Sequence, residues 1–319
     1  MSRPFIRRPL SGAGVSLILL AFLLTLPSCT VAASGRPSGG KLRVVASTTI
    51  VGDVVRNIGG DHIELTVLVP IGADIHAYEP TPQDLAAVSH ADLIFVNGFG
   101  LEAFLGTMVT NASSKDKVIS VSDGIKPRQL AAEGATPVPG EEAGMQDPHV
   151  WLDPVDVEVW ADNIARACSK ADPANASAYS ANAASYKAQL QALDAWVQQQ
   201  VSQIPPDKRI LVTDHDEFGY FADRYGFKIV GTVVPSYNTL AEPSAQDLAA
   251  LEKTIKENNV KAIFVSNTTS PVLEQRIAAD TGAKVVTLYA ESLSQANGPA
   301  PTYIDFMKYT VTQIVDALK

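Results

Sequence analysis

Histidine and cysteine are scarce in this chain, with five of the first and two of the second among 319 residues. Two cysteines cannot build the disulfide framework of a small secreted scaffold. A basic excess is also missing. Lysine and arginine number 25 against 34 acidic residues, a formal net charge of −9, which argues against a nucleic-acid partner because phosphate binding needs a basic surface. There is no H-E-x-x-H helix, no G-x-S-x-G nucleophile elbow and no G-x-x-x-x-G-K-[ST] phosphate loop. The common metalloprotease, α/β-hydrolase and ATPase signatures are therefore excluded. No apolar run reaches the ~20 residues that span a bilayer comfortably.

The composition is globular, 46% hydrophobic and 18% charged, and the length suits two compact domains with sizeable cores. The N-terminus stands apart. Arg3, Arg7 and Arg8 precede the apolar run "VSLILLAFLLTL", which closes on "LPSC". This reads as a secretory signal peptide over residues 1–28. The closing motif resembles a bacterial lipobox, so Cys29 is the expected lipidation site and residues 29–40 a flexible tether. With Cys29 lipidated, Cys168 is expected to be a buried small hydrophobe.

From Lys41 onward, short β-branched runs alternate with helical stretches. "LRVVAST", "ELTVLVP", "ADLIFVNG", "RILVTD", "KIVGTVVP", "KAIFVSN" and "AKVVTLY" read as buried strands of parallel sheets covered on both faces. The two halves echo each other. "EPTPQDLAAVSHADLIFVN" at residues 79–97 returns as "EPSAQDLAALEKTIKENNVKAIFVSN" at 242–267. The expected fold is thus α/β, two similar parallel-sheet lobes over residues 41–172 and 206–319. Between them, residues 173–205 contain no glycine and no internal proline. They predict a single stiff helix, roughly 30 residues and about 45 Å long, and hence little closure of the lobes. Residues 129–146 lack periodicity and read as a surface loop.

The chemistry concentrates in three histidines. His76 lies in "GADIHAYEP", after a strand that ends in Val-Pro; taken alone it could be a surface histidine, a catalytic base or one arm of a metal site. His149 lies in "DPHVWLDP", just before a helix. His215 in "DHDEFGYF" directly follows a strand, where open α/β sheets place ligand-binding residues. Asp280 lies in "AADTGAKVV", at a helix end that Gly282 is expected to cap. Loops from two facing lobes can converge in the cleft between them.

At these motifs the sequence resembles the zinc- and manganese-binding solute receptors of bacterial ABC importers. The likeness runs from Lys41 to the C-terminus, through "GADIHAYEPTPQD", "DPHVWLDP", "DHDEFGYFADRYG" and the closing "DTGAKVVTLYAESLS". It implies a metal site in the interlobe cleft held by His76, His149, His215 and Asp280. It also implies an extracytoplasmic, lipid-anchored monomer that hands its ion to a membrane permease served by a separate ATPase chain.

Three imidazoles and one carboxylate suit four-coordinate Zn²⁺, and nitrogen donors favour zinc over manganese. Manganese is the alternative cargo, since residues 129–146 lack the histidines that a zinc-gathering loop would carry. Glu79, Asp147, Asp214 and Asp216 are candidates to orient the imidazoles. His62 is assigned to an exposed turn and His90 to a helix end. Trp160, Ile164 and Cys168, spaced as one helical stripe, are assigned to the core, and Tyr179 and Tyr186 to packing of the long helix. The competing classes are a surface metallohydrolase and an adhesin-like lipoprotein. Against the first, four protein donors leave no open position for catalytic water.

Overall fold

Eight parallel strands make two four-stranded sheets of the same design. The computed structural model describes residues 40–111, 114–129 and 146–319, so the signal peptide, Cys29 and almost all of the tether and of loop 129–146 lie outside the described residues. In the first sheet, β1 (Leu42–Ala46), β2 (Ile63–Val67), β3 (Leu93–Val96) and β4 (Val118–Ser120) lie in the order β2-β1-β3-β4. In the second, β5 (Ile210–Thr213), β6 (Lys228–Thr232), β7 (Ala262–Ser266) and β8 (Lys284–Leu288) lie in the order β6-β5-β7-β8. Seven of these strands follow the β-branched runs. The eighth, β4, escapes the sequence reading because it is three residues long and half-buried throughout, at a sheet edge.

Strand periodicity separates the faces. Leu42, Val44 and Ala46 point into the large central core, whereas Val45 points the other way, onto Val88 and Ile94. In the second lobe Leu211 and Phe264 face the central core, and Val212 and Ile263 pack outward on Leu251 and Ile255. The outward layers are built by the duplicated segment: α2 (Pro82–His90) and α7 (Ala245–Glu257). Each starts with the same capping box, Thr81 with Asp84 and Ser244 with Asp247.

The central layer holds α1 (Thr49–Gly59), α4 (Pro154–Ala171), α5 (Ala176–Val201) and α9 (Tyr303–Leu318). The expected long helix is α5, 26 residues preceded by a 3₁₀ turn at Pro173–Asn175. At 1.5 Å per residue it spans about 39 Å. Its buried residues Tyr179, Ala183, Tyr186, Leu190, Leu193 and Val197 recur at four- and three-residue spacing, one apolar stripe. Trp160, Ile164 and Cys168 of α4 are fully buried, and they belong with that stripe to a single cluster reaching both sheets. Stiffness between the lobes therefore comes from a shared core as well as from the helix. His62 is half-buried rather than exposed, its ring edge-on to Tyr179 at 5.8 Å; His90 ends α2 in solvent, as expected.

The remaining helices are α3 (Leu105–Asn111), α6 (Gly219–Tyr225) and α8 (Val272–Thr281). Gly282 caps α8 in the left-handed conformation at φ 81°, its N–H donating to the Ala278 carbonyl.

Candidate metal centre

His76, His149 and His215 come together with a fourth residue, Glu291, and their ligand atoms all lie within 4.8 Å of one another. His76 follows β2, His215 follows β5 and Glu291 follows β8, each past a strand's C-terminal end, while His149 stands just before the 3₁₀ turn at Val150–Leu152. Carboxyl ends of strands are where open α/β sheets place their ligands, and here two sheets aim those ends at one cleft. The imidazole Nε2 atoms of His149 and His215 are 3.3 Å apart. Glu291 Oε1 is 3.0 Å from His76 Nε2 and 3.4 Å from His215 Nε2. His76 Nε2 and Glu291 Oε1 are buried without the alignment of a hydrogen bond to each other or to any described residue. Donors that converge on a common point rather than on each other leave this signature.

Asp280 does not join them. It lies exposed in the last turn of α8, ahead of β8, and so at the opposite end of the sheet from the strand C-termini. The structure thus does not bring the expected fourth ligand, Asp280, to the three histidines; the carboxylate it places beside them is Glu291. Glu291 lies three positions after β8, a strand only partly buried, so its place in the sequence gives a weaker signal than that of His215, which directly follows the mostly buried β5.

The shell around these donors is specific. Asp147 Oδ1 accepts from His149 Nδ1 at 2.9 Å and from the His149 backbone N–H at 3.0 Å. Asp214 Oδ1 stands in the same relation to His215, 3.2 Å from Nδ1 and 2.8 Å from its N–H, while its Oδ2 accepts from Ser266 N–H and the Thr269 hydroxyl. These contacts leave Nε2 of each ring free for an ion, with the ring orientation held. Thr268 donates to Glu291 Oε2 at 2.6 Å, turning Oε1 toward the imidazoles. Of the other two candidate orienting acids, Glu79 is exposed and Asp216 is half-buried, and neither contacts a site imidazole in any described hydrogen bond.

Two ties cross between the lobes beside the site. Thr239 donates to Asp74 Oδ2 at 2.6 Å, and the other Asp74 oxygen accepts from the His76 N–H. Arg128 Nη1 donates to Asp147 Oδ2 at 2.9 Å and Nε to Asp223 Oδ2 on α6 at 2.6 Å. Tyr220 completes this strap by accepting from the Arg128 N–H and donating to the Asp147 carbonyl, each at 3.0 Å. Gly219 makes room for it, since a Cβ there would sit 1.6 Å from Arg128 Nη1.

The charges are polarised. Burial, outweighing its contact with Asp147, pushes the His149 imidazole below its ordinary range. Burial works the same way on His215, but the charges of Glu217 and Asp214 override it and raise that imidazole well above the ordinary value. Burial likewise opposes ionisation of Glu291, yet His215 and His76 hold its carboxyl well below the usual range. Burial and the Asp214 charge push Glu217 well up. A cavity of about 330 Å³ opens beside His215, lined by Asp74, Glu242 and Glu274 among others. It offers an acidic approach for a cation.

Residues 44–317 match the family described as "Zinc-uptake complex component A periplasmic". The manganese-binding lipoprotein MntA of Halalkalibacterium halodurans is 34% identical over 95% of this chain and 97% of its own length. The manganese ABC transporter substrate-binding lipoprotein PsaA of Streptococcus pneumoniae is 31% identical over 96% of this chain and 98% of its own. Among solved structures, the Mn-bound periplasmic metal-binding protein of Candidatus Liberibacter asiaticus superposes with a TM-score of 0.76 at 31% identity, over 88% of this chain and 100% of that one. The periplasmic zinc-binding protein TroA of Treponema pallidum superposes with a TM-score of 0.79 at 28% identity, over 88% of this chain and 99% of its own. The two-lobed fold, the converging donor set and these likenesses agree: the chain belongs to the zinc-uptake component A family of metal-binding receptors of ABC importers.

Proposed function

We propose that this protein captures Zn²⁺ as cargo on His76, His149 and His215 Nε2 and Glu291 Oε1, and delivers it to the permease of an ABC importer. The observation that carries the reading is the convergence of these four donors, with their other ring nitrogens or carboxylate oxygens occupied where Asp147, Asp214 and Thr268 hold them. Two donors bound to one ion at about 2.0–2.1 Å stand roughly 3.3 Å apart in a tetrahedral shell. The observed separations of 3.0, 3.3 and 3.4 Å fit that spacing. Three nitrogens favour zinc over manganese. The relatives named for manganese keep that ion as the second reading.

The chain acts outside the cytoplasm as a monomer tethered by lipid on Cys29, with the ATPase on a separate chain. It is a receptor and not an enzyme, because protein donors fill the positions that a catalytic zinc keeps for water. Release proceeds by movement of the loops after β2 and β8, since the shared core opposes wide opening of the lobes. Metal analysis of the purified protein tests the reading. One zinc per chain is expected, absent from a His76→Ala, His215→Ala double variant and not displaced by excess manganese. Displacement at comparable manganese concentrations moves the assignment to manganese or dual uptake, and no stoichiometric metal in the unmodified protein overturns it.

A further inference from the structure

Glu291 follows β8 of the C-terminal lobe, yet the main chain on both sides of it is held by the N-terminal lobe. On one side, Trp151 Nε1–H donates to the Ala290 carbonyl at 2.6 Å. On the other, the Ser292 hydroxyl accepts from the Gly72 N–H at 2.8 Å, and the Leu293 N–H donates to Thr49 Oγ1 at 3.1 Å. Ala290, Glu291, Ser292 and Leu293 are all buried, so these bonds lie out of reach of competing water. The C-terminal lobe's own main-chain ties lie to either side, at Leu288 and Tyr289 before this stretch and at Ser294 after it. Its Thr268 fixes how the Glu291 carboxylate is turned, not where the backbone carrying it lies. Two of the ties from the N-terminal lobe come from segments that also carry donors, since Trp151 follows His149 and Gly72 precedes His76 in the same loops. Trp151 is the centre of the arrangement. Its carbonyl accepts from the Tyr303 hydroxyl at 2.8 Å, and its ring stands edge-on to His149 with centroids 5.2 Å apart. A buried indole N–H needs an acceptor; here that acceptor is the carbonyl next to a metal donor of the other lobe.

We propose that Trp151 is a positioning residue for metal capture: its indole N–H, with the Gly72 N–H and the Thr49 hydroxyl, seats residues 290–293 against the N-terminal lobe and so holds Glu291 Oε1 beside His76 and His149. This rests on the four-donor reading above. The gain is preorganisation, because a carboxylate already in place needs no ordering of its loop when the ion arrives. The Gly72–Ser292 bond also joins the loops after β2 and β8, so His76 and Glu291 shift together when either loop moves. Removing the Trp151 N–H leaves the Ala290 carbonyl buried without its donor, which favours a displaced loop. The ion then loses Glu291 while the histidines keep their own supports, Asp147 and Asp214.

The experiment places Trp151→Phe and Ser292→Ala each in the unmodified chain and in Glu291→Gln. It measures Zn²⁺ affinity by competition with a chelator and the visible absorption of the Co²⁺-loaded protein. Trp151→Phe should lower zinc affinity about tenfold, and Ser292→Ala about threefold. In the Glu291→Gln background each should cost less than about twofold, since the seat then holds no carboxylate. The cobalt bands of Trp151→Phe should shift toward those of Glu291→Gln. A tryptophan that only fills the core would lower affinity equally in both backgrounds and leave the bands unmoved. That result, or unchanged zinc affinity, overturns the positioning role and leaves the four-donor site standing. If Trp151→Phe does not fold, Ser292→Ala decides by the same readings. An unmodified protein that binds neither zinc nor cobalt overturns both.

Discussion

The two lobes are built to one plan, yet they supply the proposed metal centre from different places. In the N-terminal lobe β1 runs almost directly into α1. Ser47 donates to Glu102, and Thr48 caps the helix by accepting from the Val51 N–H. That turn is taken up by these two contacts, and the clustered histidines of this lobe come instead from the segment after the edge strand β2 and from the stretch before the Val150–Leu152 turn. In the C-terminal lobe the equivalent strand β5 is followed by residues 214–218 before α6 begins at Gly219. Those extra positions carry Asp214, His215 and Glu217. A delay of a few residues in starting one helix converts a packing turn into a ligand loop.

The lobes also restrain their histidines differently. His215 is held within its own lobe, by an aspartate that bridges to β7 and the turn after it. His149 is held by Asp147, which is itself tied across the interface through Arg128 to Asp223. Asp214→Asn and Asp147→Asn test this contrast most strongly. Each should weaken metal binding by about 10- to 100-fold. Asp214→Asn should also lower thermal stability more than Asp147→Asn, because Ser266 N–H is fixed in a buried strand end, whereas Arg128, the partner of Asp147, is partly exposed and can turn to water. Equal stability losses, measured by thermal melts of the metal-free variants, would break the comparison.

Protonation sharpens it further. Burial pushes His149 toward the neutral form, whereas the acidic neighbours of His215 favour its protonated form in the metal-free protein. An ion must displace the His215 proton, so affinity should fall as pH is lowered from the alkaline side through neutrality. It should fall more steeply below ~6.5, where ordinary histidines also charge. NMR of the ring nitrogens at neutral pH should find His215 charged and His149 neutral. Affinity that stays flat from neutral to mildly acid pH would contradict this.

The interlobe strap predicts smaller effects. Gly219→Ala should displace the Arg128 guanidinium while leaving α6 intact, since alanine favours a helix. Metal dissociation should then accelerate by a factor of about ten. Asp223 is 67% exposed on its side chain, so Asp223→Asn should change dissociation by only about two- to threefold. Stopped-flow release into a chelator measures both, and an unchanged rate in Gly219→Ala would show that His149 is seated without the strap. The smallest effect is expected of Asp280→Ala. This residue is exposed at the end of α8, and equilibrium affinity should not move.

Much of this was open to inspection in the linear chain. Alternation of β-branched runs with amphipathic stretches specifies parallel α/β lobes, because a strand buried on both faces must be apolar throughout. The absence of glycine and proline from residues 174–204 specifies a continuous helix, and the repeated Glu-Pro segments specify a duplicated lobe. His76, His149 and His215 stand out because histidine is rare here and each sits in a loop at an element boundary. What the tertiary structure alone decided is which carboxylates join them. The chain carries 34 acidic residues, and their local sequence does not separate Asp280 from Glu291. The two lie on either side of the same strand, and only its direction in the folded sheet puts one in solvent and the other in the cleft. Arg128 depends on the same physics, since a salt bridge between lobes exists only when distant segments meet.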